Sequence, residues 1–418
     1  MGTVLRIGLV IDDGLDKPDG VQQIVLTLGR RLAELGHEVH YVTSTTERTD
    51  LPNLHVLGRT VSVRFNGNRL RSPLPARRAD VRRLLAEVPF DVLHVTMPYS
   101  PLLAGRVVSA ASPRTAVVGQ FVIYPQDRLT RWGIRALGLA ERRRLRRFDA
   151  ITALSEAARE SVREAYGRDV PIIGGPVELG GAAGGGAEVG GGAAAGGGAA
   201  TAGAGAGSAA DAPSGADDGP VRIVFLGRLV ERKGPRELLA AVAATPATRP
   251  WTLTLAGRGP LLDELRDRAR TAGIADRVDF PGFVAEEDKA ALLAGADVVA
   301  LPSTGGESFG MSVVEALADA GGVVLAGDNP GYRTPMAGLE DQLVDPRDTG
   351  AFARTLARWV DDPAARTAAR APQRAAAQRF EAGEITAQTL AWYEQAIATR
   401  RANARAAGTR AAGTRPAR

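Results

Sequence analysis

The chain of 418 residues contains no cysteine, which excludes disulfide scaffolds, zinc ribbons, iron–sulfur clusters and cysteine nucleophiles. It also lacks any run of about 18 consecutive apolar residues, the length that a membrane-spanning helix needs. We expect no secretory signal, because Arg6 interrupts the first apolar stretch and Asp12 and Asp13 end it. The 44% hydrophobic and 24% charged residues are typical of a soluble globular protein, and the length predicts about two domains. We expect the protein to be cytoplasmic.

Lysine is also scarce, since only Lys17, Lys233 and Lys289 contribute to the 52 basic residues. The net charge of +5 is therefore carried by arginine, and it is densest in residues 128–147 and 400–418. The first stretch interleaves arginines with apolar residues, so it is either a surface that contacts an anionic membrane or a solvated helix face. We predict that 400–418 is a disordered tail, and we expect no nucleic-acid partner because it lacks aromatic residues.

A glycine- and alanine-rich stretch divides the chain. Within residues 180–210 only four residues are neither glycine nor alanine, so the stretch cannot bury enough apolar surface to become ordered. We interpret it as a flexible, disordered insertion without a function of its own. The predicted organisation is a first domain over 1–178, a linker over 179–220, a second domain over 221–374, a helix over 375–399 that crosses back to the first domain, and the tail from 400.

On both sides of this insertion, short apolar runs alternate with segments of helical periodicity, the pattern of parallel strands joined by crossover helices. We therefore predict an α/β protein with two doubly wound, Rossmann-like domains that face a cleft. Ligands in such sheets bind at the carboxyl ends of the strands. The predicted strands are Arg6–Asp12, Glu38–Thr43, Asp91–Thr96, Thr115–Val122, Ala150–Leu154, Val221–Leu226, Thr252–Ala256, Arg277–Phe280, Asp297–Leu301 and Val323–Ala326.

Two loops of the second half have residues suited to a phosphorylated ligand. Arg228 and Lys233 follow one strand, where a bidentate guanidinium and a mobile ammonium could hold a diphosphate, unless they are simply solvated. Glu307 and Glu315 flank a glycine-rich helix start, whose free N–H groups bind anions while the two carboxylates accept bonds from vicinal hydroxyls. The structural alternative is a helix cap at Glu307 and a solvated helix residue at Glu315. The Gly257-Arg258-Gly259-Pro260 turn is a weaker signal of the same kind.

In the first half, Asp19-Gly20-Val21-Gln22-Gln23 opens a helix after the first strand. Gly20 would let the backbone approach a ligand, although a plain helix-start turn explains the segment equally well. The segment lacks the Gly-x-Gly-x-x-Gly spacing of a dinucleotide site, which counts against a nicotinamide dehydrogenase.

Taken together, these loops resemble the retaining glycosyltransferases of family four, which have the GT-B fold, and most of all the actinobacterial phosphatidylinositol mannosyltransferases. The resemblance extends over residues 4–398 apart from the insertion. The matching pieces are Gly20-Val21-Gln22, Leu35-Gly36-His37-Glu38-Val39, Phe90-Asp91-Val92-Leu93-His94, Gly227-Arg228-Leu229 with Lys233-Gly234, and Gly305-Gly306-Glu307-Ser308-Phe309-Gly310 with Val314-Glu315-Ala316.

The resemblance implies a role for each matching residue. Arg228 and Lys233 would hold the donor diphosphate, Glu307 would face the transferred sugar, and Glu315 would bind the ribose. Glu307, Arg228 and Lys233 would be the catalytic residues, with no metal and no cofactor besides the nucleotide-sugar substrate. The remaining implied donor-side residues are Gly20, Val284, Lys289, Ser308, Phe309, Gly310 and Met311, and the implied acceptor-side residues are Gln22, Asn66, Arg69, Arg71 and Tyr124.

The sequence departs from the family pattern at Val122, where relatives carry a histidine that contacts the donor sugar. It departs again at Gly175-Pro176-Val177-Glu178, where relatives have Asn-Gly-Val-Asp, and at Asp19. Two hypotheses follow. The first is a retaining transferase that moves a hexose, mannose from GDP-mannose, to a lipid-linked or inositol-type acceptor at the inner face of the plasma membrane. The second is a catalytically impaired nucleotide-sugar-binding relative with a regulatory or scaffolding role.

Overall fold

The computed structural model describes residues 3–16, 20–65, 68–98, 100–122, 124, 128–179 and 219–413. The predicted flexible insertion lies almost wholly outside these residues. Elements of the first half, in chain order, are β1 (Arg6–Ile11), α1 (Gly20–Glu34), β2 (Glu38–Thr43), β3 (Leu54–Val56), β4 (Arg59–Phe65), β5 (Asn68–Leu74), α2 (Arg78–Glu87), β6 (Val92–Thr96), α3 (Leu103–Ala110), β7 (Ala116–Phe121), α4 (Arg128–Leu145), β8 (Ala150–Ala153) and α5 (Glu156–Tyr166).

The second half repeats the alternation of strand and helix. Its elements are β9 (Val221–Leu226), α6 (Pro235–Ala243), β10 (Trp251–Ala256), α7 (Leu262–Thr271), β11 (Val278–Gly282), α8 (Glu286–Ala294), β12 (Val298–Leu301), α9 (Met311–Asp319), β13 (Val323–Gly327), β14 (Leu343–Val344), α10 (Thr349–Asp361), α11 (Pro363–Gln378) and α12 (Ala382–Gly413).

Each half contains one six-stranded parallel sheet, which confirms the predicted pair of doubly wound units. The strand orders are β3-β2-β1-β6-β7-β8 and β11-β10-β9-β12-β13-β14. Inner strands such as β6, β7, β12 and β13 are buried on both faces because helices cover both sides, so they read as continuous apolar runs such as Val298–Leu301, whereas the edge strands β3 and β11 are only partly buried. In each sheet the order in which successive strands are added reverses beside the first strand, between β1 and β6 and between β9 and β12. Doubly wound sheets bind ligands at such a switch point.

The antiparallel hairpin of β4 and β5 and the edge strands β3 and β14 are absent from the sequence prediction. The two edge strands have only three and two residues, too few to show a pattern. In β4, Val61, Val63 and Phe65 alternate with Ser62 and Arg64, which is the pattern of a half-buried strand, so this element carries a sequence signal that a search for continuous apolar runs misses.

The last helix joins the two halves. Residues 379–381 separate α11 from α12. There the Val177 N–H donates to the Phe380 carbonyl, and the N–H of Ala382, the first residue of α12, donates to the Val177 carbonyl. Along α12, the Tyr393 hydroxyl lies 2.7 Å from Nδ1 of His94 on β6, and Arg400 forms an ion pair of 2.7 Å with Asp149. The second half is thus tied to the first sheet by buried contacts as well as by charge.

The structure differs from the predicted disordered tail, because α12 continues to Gly413 rather than ending before residue 400. Alanine and arginine dominate this stretch, and both are strong helix formers, so a helix already anchored by Tyr393 and Arg400 propagates at little cost. Residues 414–418 lie outside the described part of the chain.

Candidate active site

The loop after β9 places two cations beside the second sheet. A three-residue helical turn, Glu231–Lys233, ends at Gly234, which has a φ of +74°. A Cβ at Gly234 would lie 2.0 Å from the carbonyl oxygen of Pro302, so only glycine fits between this loop and the end of β12. The close approach brings the side chains of Arg232 and Lys233 to the loop that follows β12.

Three donors converge on one carboxylate oxygen of Glu307. Oε1 lies 2.6 Å from Nη1 of Arg232, 3.0 Å from Nζ of Lys233 and 3.1 Å from Oγ of Ser303. Glu307 is only 9% exposed, so these charge-assisted bonds compensate a carboxylate that has lost most of its water. The Glu307 side chain does not cap α9, because the residue before that helix is Gly310 and the Glu307 carboxylate accepts, among the described residues, only from Arg232, Lys233 and Ser303.

A buried polar layer supports this cluster. The Asn329 amide donates to the carbonyl oxygens of Ser303 and Gly327, each at 3.1 Å, and its Oδ1 accepts from the backbone N–H of Tyr332. Burial raises the pKa of the Tyr332 hydroxyl, and the nearby Glu307 charge raises that pKa further, so the phenol stays neutral. The sequence analysis missed Arg232, Ser303 and Asn329, although Arg232 adjoins the predicted Lys233.

The glycine-rich turn before α9 presents free backbone donors. Gly310 has a φ of +94°, and a Cβ there would lie 2.6 Å from the ring of Tyr332. Backbone N–H groups of residues 309–312 make no hydrogen bond to any described residue, as expected for the first turn of a helix. Phe309 is buried and packs edge-on against Phe380 at 5.1 Å, so only its backbone is available to a ligand.

A second carboxylate lies further along α9. Glu315 pairs with Lys289 of α8 at 3.0 Å, and Lys289 also pairs with Glu286 at 2.7 Å. Burial raises the pKa of the Glu315 carboxyl, and the Lys289 ammonium opposes that rise. Burial acts to lower the pKa of Lys289, but Glu315 and Glu286 outweigh it and raise that pKa. Glu315, the predicted ribose ligand, and Lys289, a predicted donor-side residue, are therefore in direct contact.

The predicted donor residues Arg228 and Val284 lie on the loops that follow β9 and β11. Arg228 is exposed, and its guanidinium pairs with no residue that the structure describes. Val284 is half-buried and follows Phe283, whose exposed ring lies under the Arg258 guanidinium. Arg228 does not contact Lys233 or Glu307, so the convergence of Arg228 and Lys233 on a diphosphate stays a prediction.

The first half faces this site through α1 and β7. An ideal Cβ at Gly20 would lie 3.7 Å from Cγ of Met311, which places the start of α1 against the start of α9. The backbone N–H of Tyr124 donates to Oγ of Ser308 at 3.3 Å, and the Ser155 hydroxyl donates to the Ser308 carbonyl. Four of the predicted site residues, namely Gly20, Tyr124, Ser308 and Met311, thus meet where the two halves adjoin.

The acceptor-side predictions are only partly located. Gln22 is buried, and its amide lies 3.3 Å from Oδ2 of Asp13. Arg69 and Arg71 lie on β5, and Asn66 lies outside the described residues. Val122 directly follows β7 and is fully buried in the hydrophobic core, and a valine side chain offers neither a hydrogen bond nor a charge.

No group of three histidine, aspartate or glutamate side chains in the described ranges is arranged to hold a metal ion. No described helix is long and apolar enough to cross a bilayer. Metal independence and the absence of a cofactor stay predictions.

Comparison with known families defines the class. The model for group 1 glycosyl transferases matches residues 208–378, and that for glycosyltransferase family 4 matches residues 18–179. The structure of the Anabaena protein Alr3699/HepE in complex with UDP superimposes with a TM-score of 0.67 at 18% identity, over 93% of this chain and 100% of that one. The protein is a glycosyltransferase with the predicted GT-B fold.

Two relatives show which glycosyltransferases this chain is similar to. The chain is 32% identical to the phosphatidyl-myo-inositol mannosyltransferase of Mycolicibacterium smegmatis over 402 residues, which cover 93% of this chain and 94% of the relative. It is 28% identical to the 2-deoxystreptamine glucosyltransferase of Streptomyces kanamyceticus, over 91% of this chain and 100% of that one. The chain belongs to the glycosyltransferase family that includes both, as the sequence resemblance predicts.

Proposed function

We propose that this protein transfers mannose from GDP-mannose to a phosphatidylinositol or related inositol-type acceptor, with retention of the anomeric configuration. The observation that carries the proposal is the cluster of Lys233, Arg232 and Glu307 beside the free N-terminus of α9. The identity to the phosphatidyl-myo-inositol mannosyltransferase over most of both chains supports the choice of sugar and acceptor.

The charge of the cluster suits a diphosphate. Arg232 and Lys233 supply two positive charges against the single carboxylate of Glu307, and Arg228 on the same loop adds a third outside these contacts, which leaves an excess that a nucleoside diphosphate would neutralise. The α9 N–H groups add the positive end of a helix. Negative charge that develops on the leaving diphosphate would be stabilised most by groups already fixed in place, as the Gly234 and Gly310 turns fix these.

In the proposed reaction, the bond between the sugar C1 and the diphosphate oxygen breaks, and the acceptor oxygen bonds to C1 on the same face. The acceptor proton passes to the departing diphosphate oxygen, so no side chain needs to act as nucleophile. Glu307 would accept hydrogen bonds from the sugar hydroxyls and Glu315 from the ribose, while orientation of donor and acceptor supplies much of the rate.

Thermal unfolding with a panel of GDP-, UDP- and ADP-sugars tests the donor assignment. At a GDP-mannose concentration near 100 times its Kd, we expect a stabilisation of about 2.7 kcal/mol, a rise in Tm of several degrees. Free GDP should shift the Tm in the same direction, and UDP and ADP at equal concentration should shift it little. A panel in which every member leaves the Tm unchanged would overturn the donor site, and a response confined to UDP-sugars would replace GDP-mannose as donor.

We further propose that α4 rests on an anionic membrane surface. Trp132 and Leu139, one heptad apart, are 73% and 65% exposed. The exposed Arg142, Arg143 and Arg146 form no ion pair with a described residue, so they are free to contact lipid phosphates.

Vesicle sedimentation tests this contact. The protein should bind phosphatidylglycerol vesicles, release in 1 M salt and ignore phosphatidylcholine vesicles. Serine at both Trp132 and Leu139 should weaken binding about tenfold or more, from lost apolar burial. The matched control is Leu35→Ser, which removes a leucine that is 60% exposed on another surface. Equal loss in both variants, or no loss in either, contradicts the proposal.

A further inference from the structure

The second half exposes an aromatic ring at the carboxyl end of β11. Phe283 is 67% exposed, and it follows Gly282, whose φ of +83° turns the chain out of the strand. Most other aromatic side chains of the second half are buried, for example Phe225, Trp251 and Phe352, while Phe280 on β11 is half-buried. An exposed phenylalanine gains none of the free energy of apolar burial in this state, which makes it a candidate ligand contact.

A guanidinium from the neighbouring loop partners this ring. Arg258 follows β10, and its Cζ lies 5.6 Å from the centroid of the Phe283 ring. Attraction between a cation and the ring face keeps the two side chains together although both are exposed. We call this pair the rim platform.

The rim platform lies beside the cluster described above. β9, β10 and β11 are adjacent in the sheet, so the loops that carry Lys233, Arg258 and Phe283 are neighbours at one edge. A second path leads from Phe283 to Glu286, three residues on, whose carboxylate binds Lys289 and through it Glu315. The platform is therefore three residues from the ion-pair chain that leads through Glu286 and Lys289 to the carboxylate proposed to hold the ribose.

We infer that Phe283 stacks on the nucleobase of the donor and that Arg258 holds the ring in place. This inference rests on the proposed function, because a base reaches Phe283 only if the diphosphate and ribose occupy the cluster. With the diphosphate near Lys233 and the ribose near Glu315, the base extends towards the loop of Phe283. Every nucleobase has a flat π-face, so the platform contributes affinity for nucleotides as a class.

Binding of GDP and of inorganic pyrophosphate by calorimetry tests the inference. Phe283→Ala should weaken GDP binding about 5- to 100-fold, since stacking of one base on an aromatic side chain is worth about 1–3 kcal/mol. Pyrophosphate, which has no base, should bind wild type and variant alike. Phe283→Trp should keep the GDP affinity, whereas Phe283→Leu, which is apolar without a π-face, should recover little of it.

A matched pair of arginine variants serves as control. Arg266 lies 5.7 Å from the centroid of Phe280 on the same strand β11, so Arg266→Gln removes an equivalent contact away from the platform. Arg258→Gln should weaken GDP binding several-fold, and Arg266→Gln should not. Unchanged GDP affinity in Phe283→Ala overturns this inference alone. If wild type binds neither GDP nor pyrophosphate, the proposed function fails instead.

Discussion

Replacing Lys233 with methionine is expected to lower the rate of hexose transfer about 10²–10³-fold, the usual effect of removing one fixed donor to developing charge. Methionine keeps the length of the side chain but removes the ammonium that lies 3.0 Å from Glu307. Arg232 remains bonded to the same carboxylate at 2.6 Å, so the loop should keep its conformation and the Tm should change little. The measurement is kcat and KM for transfer from GDP-mannose to phosphatidylinositol.

Arg236→Gln is the control for this prediction. Arg236 lies three residues beyond Lys233, but it pairs with Glu231 and Glu264 rather than with Glu307. Its loss removes one positive charge from the same region and should leave kcat within a few-fold of wild type. A Lys233→Met enzyme with unchanged kcat would remove Lys233 from the catalytic machinery. A wild type that binds GDP yet transfers no hexose would favour the catalytically impaired relative.

Lowering the pH from 7 to 4 should destabilise the protein by about 3 kcal/mol through His94 alone. Burial lowers the pKa of His94 from 6.5 to about 4, although the Gln120 side chain acts in the opposite direction. The unfolded chain, with the ordinary pKa, therefore binds the proton first as the pH falls. The stability that the neutral ring contributes is complete above pH 6.5 and is lost as the pH falls towards 4. A difference of about 2.5 pKa units at 1.36 kcal/mol each sets the magnitude.

The matched variant is His94→Gln, which keeps a polar partner for the Tyr393 hydroxyl but does not titrate. Urea unfolding of both proteins at several pH values isolates the contribution of His94, because the carboxylates and the other histidines titrate in both. The difference in unfolding free energy between wild type and variant should shrink by about 3 kcal/mol between pH 7 and pH 4. Parallel curves would mean that His94 is not the group responsible.

Much of the fold could be predicted because most strands of the two parallel sheets are buried along their length. β2 and β9 match the prediction to the residue, and the other predicted strands match to within one or two residues at each end. Local physics is sufficient there, since a buried parallel strand must be a short apolar run whatever lies around it. The helical continuation of α12 escaped prediction because it depends on the contacts that anchor the helix, whereas the β4–β5 hairpin escaped although β4 alternates polar and apolar residues.

The sequence by itself determined the family, the two doubly wound units and the loops that carry the candidate site residues. Glycine-rich turns at strand ends are a local requirement, because Gly234 and Gly310 adopt backbone conformations that other residues rarely tolerate. Side-chain partnerships across those loops have no such local signature.

Only the tertiary structure decided that Arg232 and Ser303 share the Glu307 carboxylate with Lys233, and that Arg258 covers Phe283. Arg232 and Lys233 lie 75 and 74 positions from Glu307, and Arg258 lies 25 positions from Phe283, whereas Ser303 is only four residues from Glu307. Their contacts exist because parallel strands bring distant loops to one edge of the sheet, and burial there requires each charge to find a partner. The spacing of residues in a sequence does not predict which residues of two different loops will contact each other.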